Sequence, residues 1–373
     1  MLDKPDYGCI FTGCLAEHLN HGENMAVKQP AHMTSKYTAS FSRLECLTRN
    51  FCRAVTVLIL VILALFRVSM ASAAEPLRIS VSQTPLSLPF YVAENQGYFA
   101  AEGLKLKLND IVGGHRTMQQ LLEGSADLAT SSEAVVMFNS FQRTDFAVIA
   151  SFVTSDDDVK IITRADTGIS QPHQLAGKLV GTVTGAASHY FLETLLLSKG
   201  IDPKSVRIRN LQPEAMGEAL KNRVVDAIAI WEPFPFKALK AVPDARMLPK
   251  SGVYMLTFNL IVHKKHLGVR DDELVKILRA LDRAQQFIST QPQKAKAILL
   301  DRLKLDSAFI DWIWPRYNYR LSLDQSLLTT LEGEARWARQ EGLVKGDKSP
   351  NYLNFIYVGP LSKVRQSAVG IIR

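Results

Sequence analysis

From Glu75 onward, apolar runs of strand length alternate with stretches of helical period, and that alternation leaves few folds open. Strands separated by helices come side by side through crossovers, which gives a mainly parallel sheet with helices on its faces. Strands are expected over 77–81, 104–108, 126–130, 159–163, 179–183, 224–230 and 258–262. Helices are expected over 91–96, 117–123, 188–198 and 216–221, then over 271–290, 292–303, 307–314 and 322–341. Two such rounds before a helical tail imply an α/β architecture of two sheet lobes with a helical C-terminal region. The joints fall near 159–164 and 258–263, two short crossover segments with the geometry of a hinge.

In an open α/β sheet, ligands sit at the carboxyl ends of strands, so the residues there are the candidates for a site. The run 224–230 ends on Trp231-Glu232-Pro233-Phe234, and proline cannot continue a strand ladder. Trp231 offers a flat face to a ligand, or a core residue. Glu232 is a ligand to a cationic group or an acceptor at the hinge. After the first strand come Gln83 and Thr84. After the third come Ser132 and Glu133, which also read as a plain helix cap. Between 179–183 and the next helix, Thr184, Gly185, Ala186 and Ser188 leave amides open at the positive end of a helix dipole. That loop suits a sulfonate, nitrate, phosphate or carboxylate, and it equally suits an N-cap in which Ser188 serves its own helix. Asp156-Asp157-Asp158 reads as a solvated turn, with an amine-binding carboxylate as the minority reading. His189 is expected on an exposed helix position.

Other chemistries are poorly served. The chain has 373 residues, 47% of them hydrophobic, enough for a large core and two or three domains. Its net charge of +8 is spread along the sequence, which serves solubility rather than nucleic-acid binding. All four cysteines, Cys9, Cys14, Cys46 and Cys52, precede the alternating region. A disulfide framework, a thiolate metal site and a cysteine nucleophile are therefore excluded from it, and a cysteine-free chain suits an oxidising compartment. With no G-x-S-x-G elbow, H-E-x-x-H or Cys/His cluster, the expectation is a binding protein, not an enzyme, without metal or cofactor.

Arg49 and Arg53 precede the apolar run 54–66, and Ala71-Ser72-Ala73 follows it. A basic flank, a short apolar stretch and a small-x-small site make a secretory signal peptide, with cleavage after Ala73 or Ala74. The run is shorter than the ~20 residues a membrane span needs. The preceding polar segment, with His18, His21 and His32, exceeds an ordinary leader, which makes Met25 or Met33 an alternative start. Residues 1–74 are set aside from the fold on this reading.

Three stretches carry a family resemblance: Pro-Phe-Tyr-Val-Ala-Glu-Asn-Gln-Gly-Tyr-Phe-Ala-Ala-Glu-Gly-Leu at 89–104, Leu-Leu-Glu-Gly-Ser-Ala-Asp-Leu-Ala at 121–129 and Ala-Ile-Trp-Glu-Pro-Phe at 229–234. With the export signal, they resemble the substrate-binding proteins of ABC importers for nitrate, sulfonates and taurine. That group also includes the yeast thiamine-pyrimidine synthase-like proteins. The likeness covers nearly all of 76–345. It implies a type II periplasmic binding fold, with lobe one formed by 76–165 plus 257–373 and lobe two by 166–256. It further implies a monomeric periplasmic receptor that delivers a small anion to an inner-membrane permease and has no nucleic-acid partner. The implied site is Gln83 and Thr84, Ser132 and Glu133, Gly185 to Ser188, and Trp231 with Glu232. The chain departs from the enzymatic branch in lacking its cysteine-rich iron motif after Cys52. It also reads Ser-Ser-Glu-Ala at 131–134 where many relatives have glycine before the glutamate. A thiamine-pyrimidine precursor binder or synthase-like enzyme is the alternative.

Overall fold

The computed structural model describes residues 75–346 and 348–372, with 55–57 and 59, and the chain divides into two compact units, Met1–Ala74 and Glu75–Arg373. The described residues of the first unit are helical; the expected cleavage site, alternative starts and cysteines lie outside the described residues. Among the described residues no helix is long and apolar enough to cross a membrane.

The second unit holds two five-stranded sheets of matching topology. The first has the order β2-β1-β3-β10-β4, from Arg78–Ser82 (β1), Lys107–Ile111 (β2), Leu128–Ser132 (β3), Phe146–Ser155 (β4) and Leu256–His263 (β10). The second has the order β7-β6-β8-β5-β9, from Val159–Arg164 (β5), Leu179–Thr182 (β6), Arg207–Asn210 (β7), Ala227–Trp231 (β8) and Ala245–Met247 (β9). In each, the second strand of the order pairs in parallel with its two neighbours, β1 with β2 and β3, and β6 with β7 and β8. The fourth strand runs the other way: β10 is antiparallel to β3 and β4, and β5 to β8 and β9.

These reversed strands correct the expectation of mainly parallel sheets. The chain leaves the first sheet at the end of β4 and enters the second through β5, then returns from β9 into β10. A strand arriving from the crossing must run away from it, whereas β1, β3, β6 and β8 run towards it. The change of sheet therefore falls at 156–158 and 248–255, ahead of the expected boundary at 165/166. β5, placed by sequence in lobe one, belongs to the second sheet.

Helices cover the faces. Leu88–Asn95 (α1), Gly114–Leu122 (α2) and Glu133–Ser140 (α3) follow the strands of the first lobe; Ala187–Ser198 (α4), Met216–Lys221 (α5) and Phe234–Ala241 (α6) follow those of the second. The tail supplies Asp271–Thr290 (α7), Pro292–Leu303 (α8), Ser307–Ile313 (α9), Gln325–Gln340 (α10) and Gly359–Val364 (α11). In α7 the buried positions Leu274, Ile277, Leu278, Leu281 and Ala284 recur at helical spacing and form one face against the core. Phe152 of β4 meets Phe90 of α1 and Phe258 of β10 edge to face, joining sheet and helix layers. The last residues complete lobe one: Leu323 and Gly370 are hydrogen-bonded, and Arg365 pairs with Asp282 on α7.

Candidate functional site

Between the lobes lies a small cavity, lined from strand ends. Ser82 reaches it at the end of β1 and Thr84 just after, Gly114 and His115 after β2, Ser132 at the end of β3, Asp158 from the crossing, Ala187 at the start of α4, and Trp231 at the end of β8. Apolar walls come from Leu86, Val135, Leu256 and Phe258.

The Gly113-Gly114 turn is packed too tightly for other residues. A Cβ on Gly114 would stand 2.7 Å from the Ser131 hydroxyl, and Gly113 has φ of 91°. That close approach sets His115 beside Trp231, with ring centroids 6.1 Å apart.

The polar atoms of this lining stand out for what they lack. The Ser82 and Thr84 hydroxyls, His115 Nδ1, the Trp231 indole nitrogen and Asp158 Oδ2 are all buried without a hydrogen-bond partner among the described residues. Leaving a buried polar group unpaired costs about 1–3 kcal/mol, so five around one small cavity is not a feature of inert packing. The indole N–H can only donate. The other oxygen of Asp158, Oδ1, accepts from the Tyr317 hydroxyl. Burial pushes its carboxyl up to about 7, against the opposing pulls of Tyr317 and the Lys160 ammonium. Burial, followed by the adjacent Arg116 charge, pushes His115 down to about 4, so its ring is neutral near pH 7. No lysine or arginine is among the lining residues.

The sequence expectations divide here. Thr84, Ser132, Ala186 and Trp231 line the cavity. Gln83 is exposed and its neighbour Ser82 takes the inward place, because side chains alternate at the end of a strand. Glu133 is fully buried but turned away, accepting from the Tyr254 hydroxyl, Thr257 N (2.7 Å) and the Thr257 hydroxyl (2.9 Å). Burial raises it to about 7 in spite of those bonds. Thr184 N donates to Asn210 Oδ1 (3.1 Å) and Gly185 N to His189 Nδ1 (3.4 Å), so these amides are engaged within lobe two. Ser188 Oγ accepts from the Thr182 hydroxyl (2.9 Å), stitching α4 to β6. Glu232 is the hinge acceptor: it lies 3.1 Å from Lys160 Nζ and accepts from Trp312 Nε1 at 2.9 Å.

Two further expectations are corrected. The triple aspartate is no solvated turn, since Asp158 is 1% exposed and Asp157 pairs with Arg316 and Lys160. His189 is buried against Glu193, which also accepts from Trp337 of α10 (3.2 Å). Ser82 and His115 are polar lining residues that sequence reasoning did not single out, and Asp158 was carried only in the minority reading of its turn. For His115 the signal was present, a Gly-Gly pair directly after a strand. Among the described residues no cluster of His, Cys, Asp or Glu has the geometry to hold a metal ion.

The lobes meet across the cavity mouth. Arg116 at the start of α2 bonds Glu214 (2.6 Å) and Gln212 (2.7 Å) of lobe two. Tyr190 of α4 packs on Trp337 and Tyr254, with centroids 4.9 and 5.3 Å apart. These contacts join the two lobes.

Residues 84–295 match the family described as NMT1/THI5 like. The Bacillus subtilis (strain 168) protein named "Putative binding protein YtlA" is 27% identical over 55% of this chain, and the match spans 64% of its own length, just under two thirds. A second protein of that organism, named "Putative aliphatic sulfonates-binding protein", is 25% identical over 64% of this chain and 72% of its own. The alkanesulfonate-binding protein SsuA from Xanthomonas axonopodis pv. citri, solved with MOPS bound, superposes with a TM-score of 0.68 at 18% identity, covering 77% of this chain and all of that one (100%). That likeness identifies the fold as that of periplasmic binding proteins. With more than half of its length matched by the family model, and the two hinged α/β lobes just described, this chain belongs to the NMT1/THI5-like family.

Proposed function

We propose that the protein is the periplasmic solute receptor of an ABC importer and binds a small organic anion of the sulfonate or taurine type. The observation that carries this reading is the buried, unpartnered indole N–H of Trp231, set in one cavity with the unpartnered Ser82 and Thr84 hydroxyls. Three groups able to donate, from both lobes, call for an acceptor-rich ligand. The amino end of α4 at Ala187 adds the partial positive charge of a helix whose first amides have no intrahelical partner. The names of the relatives above point to the same ligand class.

Closure needs no chemistry. A ligand that satisfies Ser82 and Thr84 in one lobe and Trp231 in the other binds the closed form better than the open one and shifts the population towards it. A transporter would then recognise the closed receptor and take the ligand. Glu133 and Glu232, each saturated by protein partners, serve the scaffold in this scheme.

The test is a calorimetric titration of the purified protein with alkanesulfonates, taurine, nitrate and aminopyrimidines, repeated on Trp231→Phe. Phenylalanine keeps a six-membered aromatic face and removes the N–H together with the rest of the pyrrole ring; a lost hydrogen bond to a charged acceptor is by itself worth ~1.5 kcal/mol, about tenfold in affinity. Sulfonate binding that weakens by about that factor supports the reading. Binding confined to aminopyrimidines would overturn it in favour of the thiamine-precursor alternative.

A further inference from the structure

The cavity makes two opposite demands. Ser82, Thr84 and Trp231 offer donors, whereas Asp158, lining the same small space, has a buried carboxyl oxygen, Oδ2, with no partner among the described residues. A ligand that is only an anion would satisfy the first set and press its charge against the second.

Asp158 is not an incidental surface acid. It is 1% exposed and sits in the segment where the chain crosses from β4 to β5, so it belongs to the hinge and not to either sheet. Its backbone carbonyl accepts from Glu232 N (3.2 Å), and its Oδ1 accepts from Tyr317 of the C-terminal region. The first holds the backbone of the crossing segment, and the second takes one carboxyl oxygen and leaves Oδ2 without a partner among the described residues. The nearest cation, Lys160, is committed to Glu232 and to Asp157, including its backbone carbonyl. It does not neutralise Oδ2 by direct contact.

Resting on the receptor reading above, we infer that Asp158 is a specificity-determining residue, selecting ligands that carry an N–H donor, an ammonium above all, together with their anionic group. The ligand class is then a small zwitterion such as an aminoalkanesulfonate, in preference to a plain alkanesulfonate or an inorganic anion. The raised carboxyl of Asp158 fits this role: an ammonium beside Oδ2 supplies the countercharge that burial withholds, and binding releases the proton.

The experiment compares taurine with ethanesulfonate and propanesulfonate by calorimetry on the wild-type protein, Asp158→Asn and Tyr317→Phe. Asparagine keeps the shape and removes the charge; Tyr317→Phe removes the hydroxyl bonded to Oδ1 and keeps the charge. Wild type is expected to favour taurine by tenfold or more, Asp158→Asn to lose that preference, and Tyr317→Phe to keep most of it. Equal or tighter binding of the amine-free sulfonates by wild type, or an unchanged preference in Asp158→Asn, would overturn the role given to Asp158 while leaving the receptor reading standing. If only an aminopyrimidine binds, the sulfonate reading fails, and Asp158 keeps its role only if Asp158→Asn weakens that binding.

Discussion

Replacing Glu232 by glutamine separates scaffold from site at the position where sequence left both open. Glu232 is fully buried and lies 3.1 Å from the ammonium of Lys160, itself 3% exposed. Removing one partner of such a pair leaves a charge in low dielectric and costs about 3–5 kcal/mol. Here the Asp157 carboxylate 3.8 Å from Lys160 Nζ, and the Asp157 carbonyl, retain part of the compensation, which places the loss near the lower end, about 3 kcal/mol. The Trp312 indole and the Phe236 amide would still find an acceptor or lose a modest bond. For a domain of this size, about 3 kcal/mol corresponds to a fall of roughly 6–12 °C in melting temperature. The assay is calorimetric melting together with urea denaturation, in which the midpoint should fall with little change in slope. Ligand affinity should stay within about threefold of wild type, because Glu232 does not line the cavity. A melting temperature within a degree or two of wild type, or a tenfold loss of affinity without destabilisation, would refute the assignment of Glu232 to the hinge.

Two other outcomes follow from the geometry. Glu334 of α10 is fully buried with both carboxylate oxygens unpartnered among the described residues, and burial, then the nearby Glu133, raises it well above the usual range. A raised carboxyl favours the folded state at low pH and loses that contribution as pH climbs through the folded value. Above the unfolded value near 4.5, and for as long as Glu334 stays protonated in the folded protein, this group should lower stability by up to about 1.4 kcal/mol per pH unit, so Glu334→Gln should shift the slope of melting temperature against pH upward relative to wild type. The same slope in wild type and Glu334→Gln would rule this out. Arg116→Ala removes a half-exposed bridge across the cavity mouth, worth at most about 1 kcal/mol. It should speed ligand release by up to about fivefold in stopped-flow experiments and leave the melting temperature of the ligand-free protein nearly unchanged; a large loss of stability would mean that the bridge supports the fold.

What was legible in the sequence is what local period and composition encode. The bounds of α7 and α8 came directly from apolar spacing and from Pro292, since a helix face and its first turn are local properties. The strand ends that meet the cavity were legible for the same reason, because Gly, Pro and Ser punctuate them. β4 was missed although Phe146–Ser155 is nearly all buried: a continuous apolar run has no period-2 alternation to mark it. The direction of β5 and β10 was not written in either strand. It depends on where the chain crosses between lobes, a property of the whole path.

Within the site, residue type named the candidates and the tertiary structure assigned their partners. Trp231 and Thr84 face the cavity; Glu133 and Glu232, just as suggestive in sequence, are claimed by Thr257 and Tyr254 and by Lys160 and Trp312. Those partners lie as far as 124 residues away, and no local pattern records them. Asp158 went the other way, from an apparent surface turn to a buried carboxyl with one oxygen free. The sequence determines which strands can form and where polar groups cluster at their ends. Which of those groups is left unsatisfied, and so available to a ligand, is decided only when distant segments pack and the hydrogen bonds are shared out.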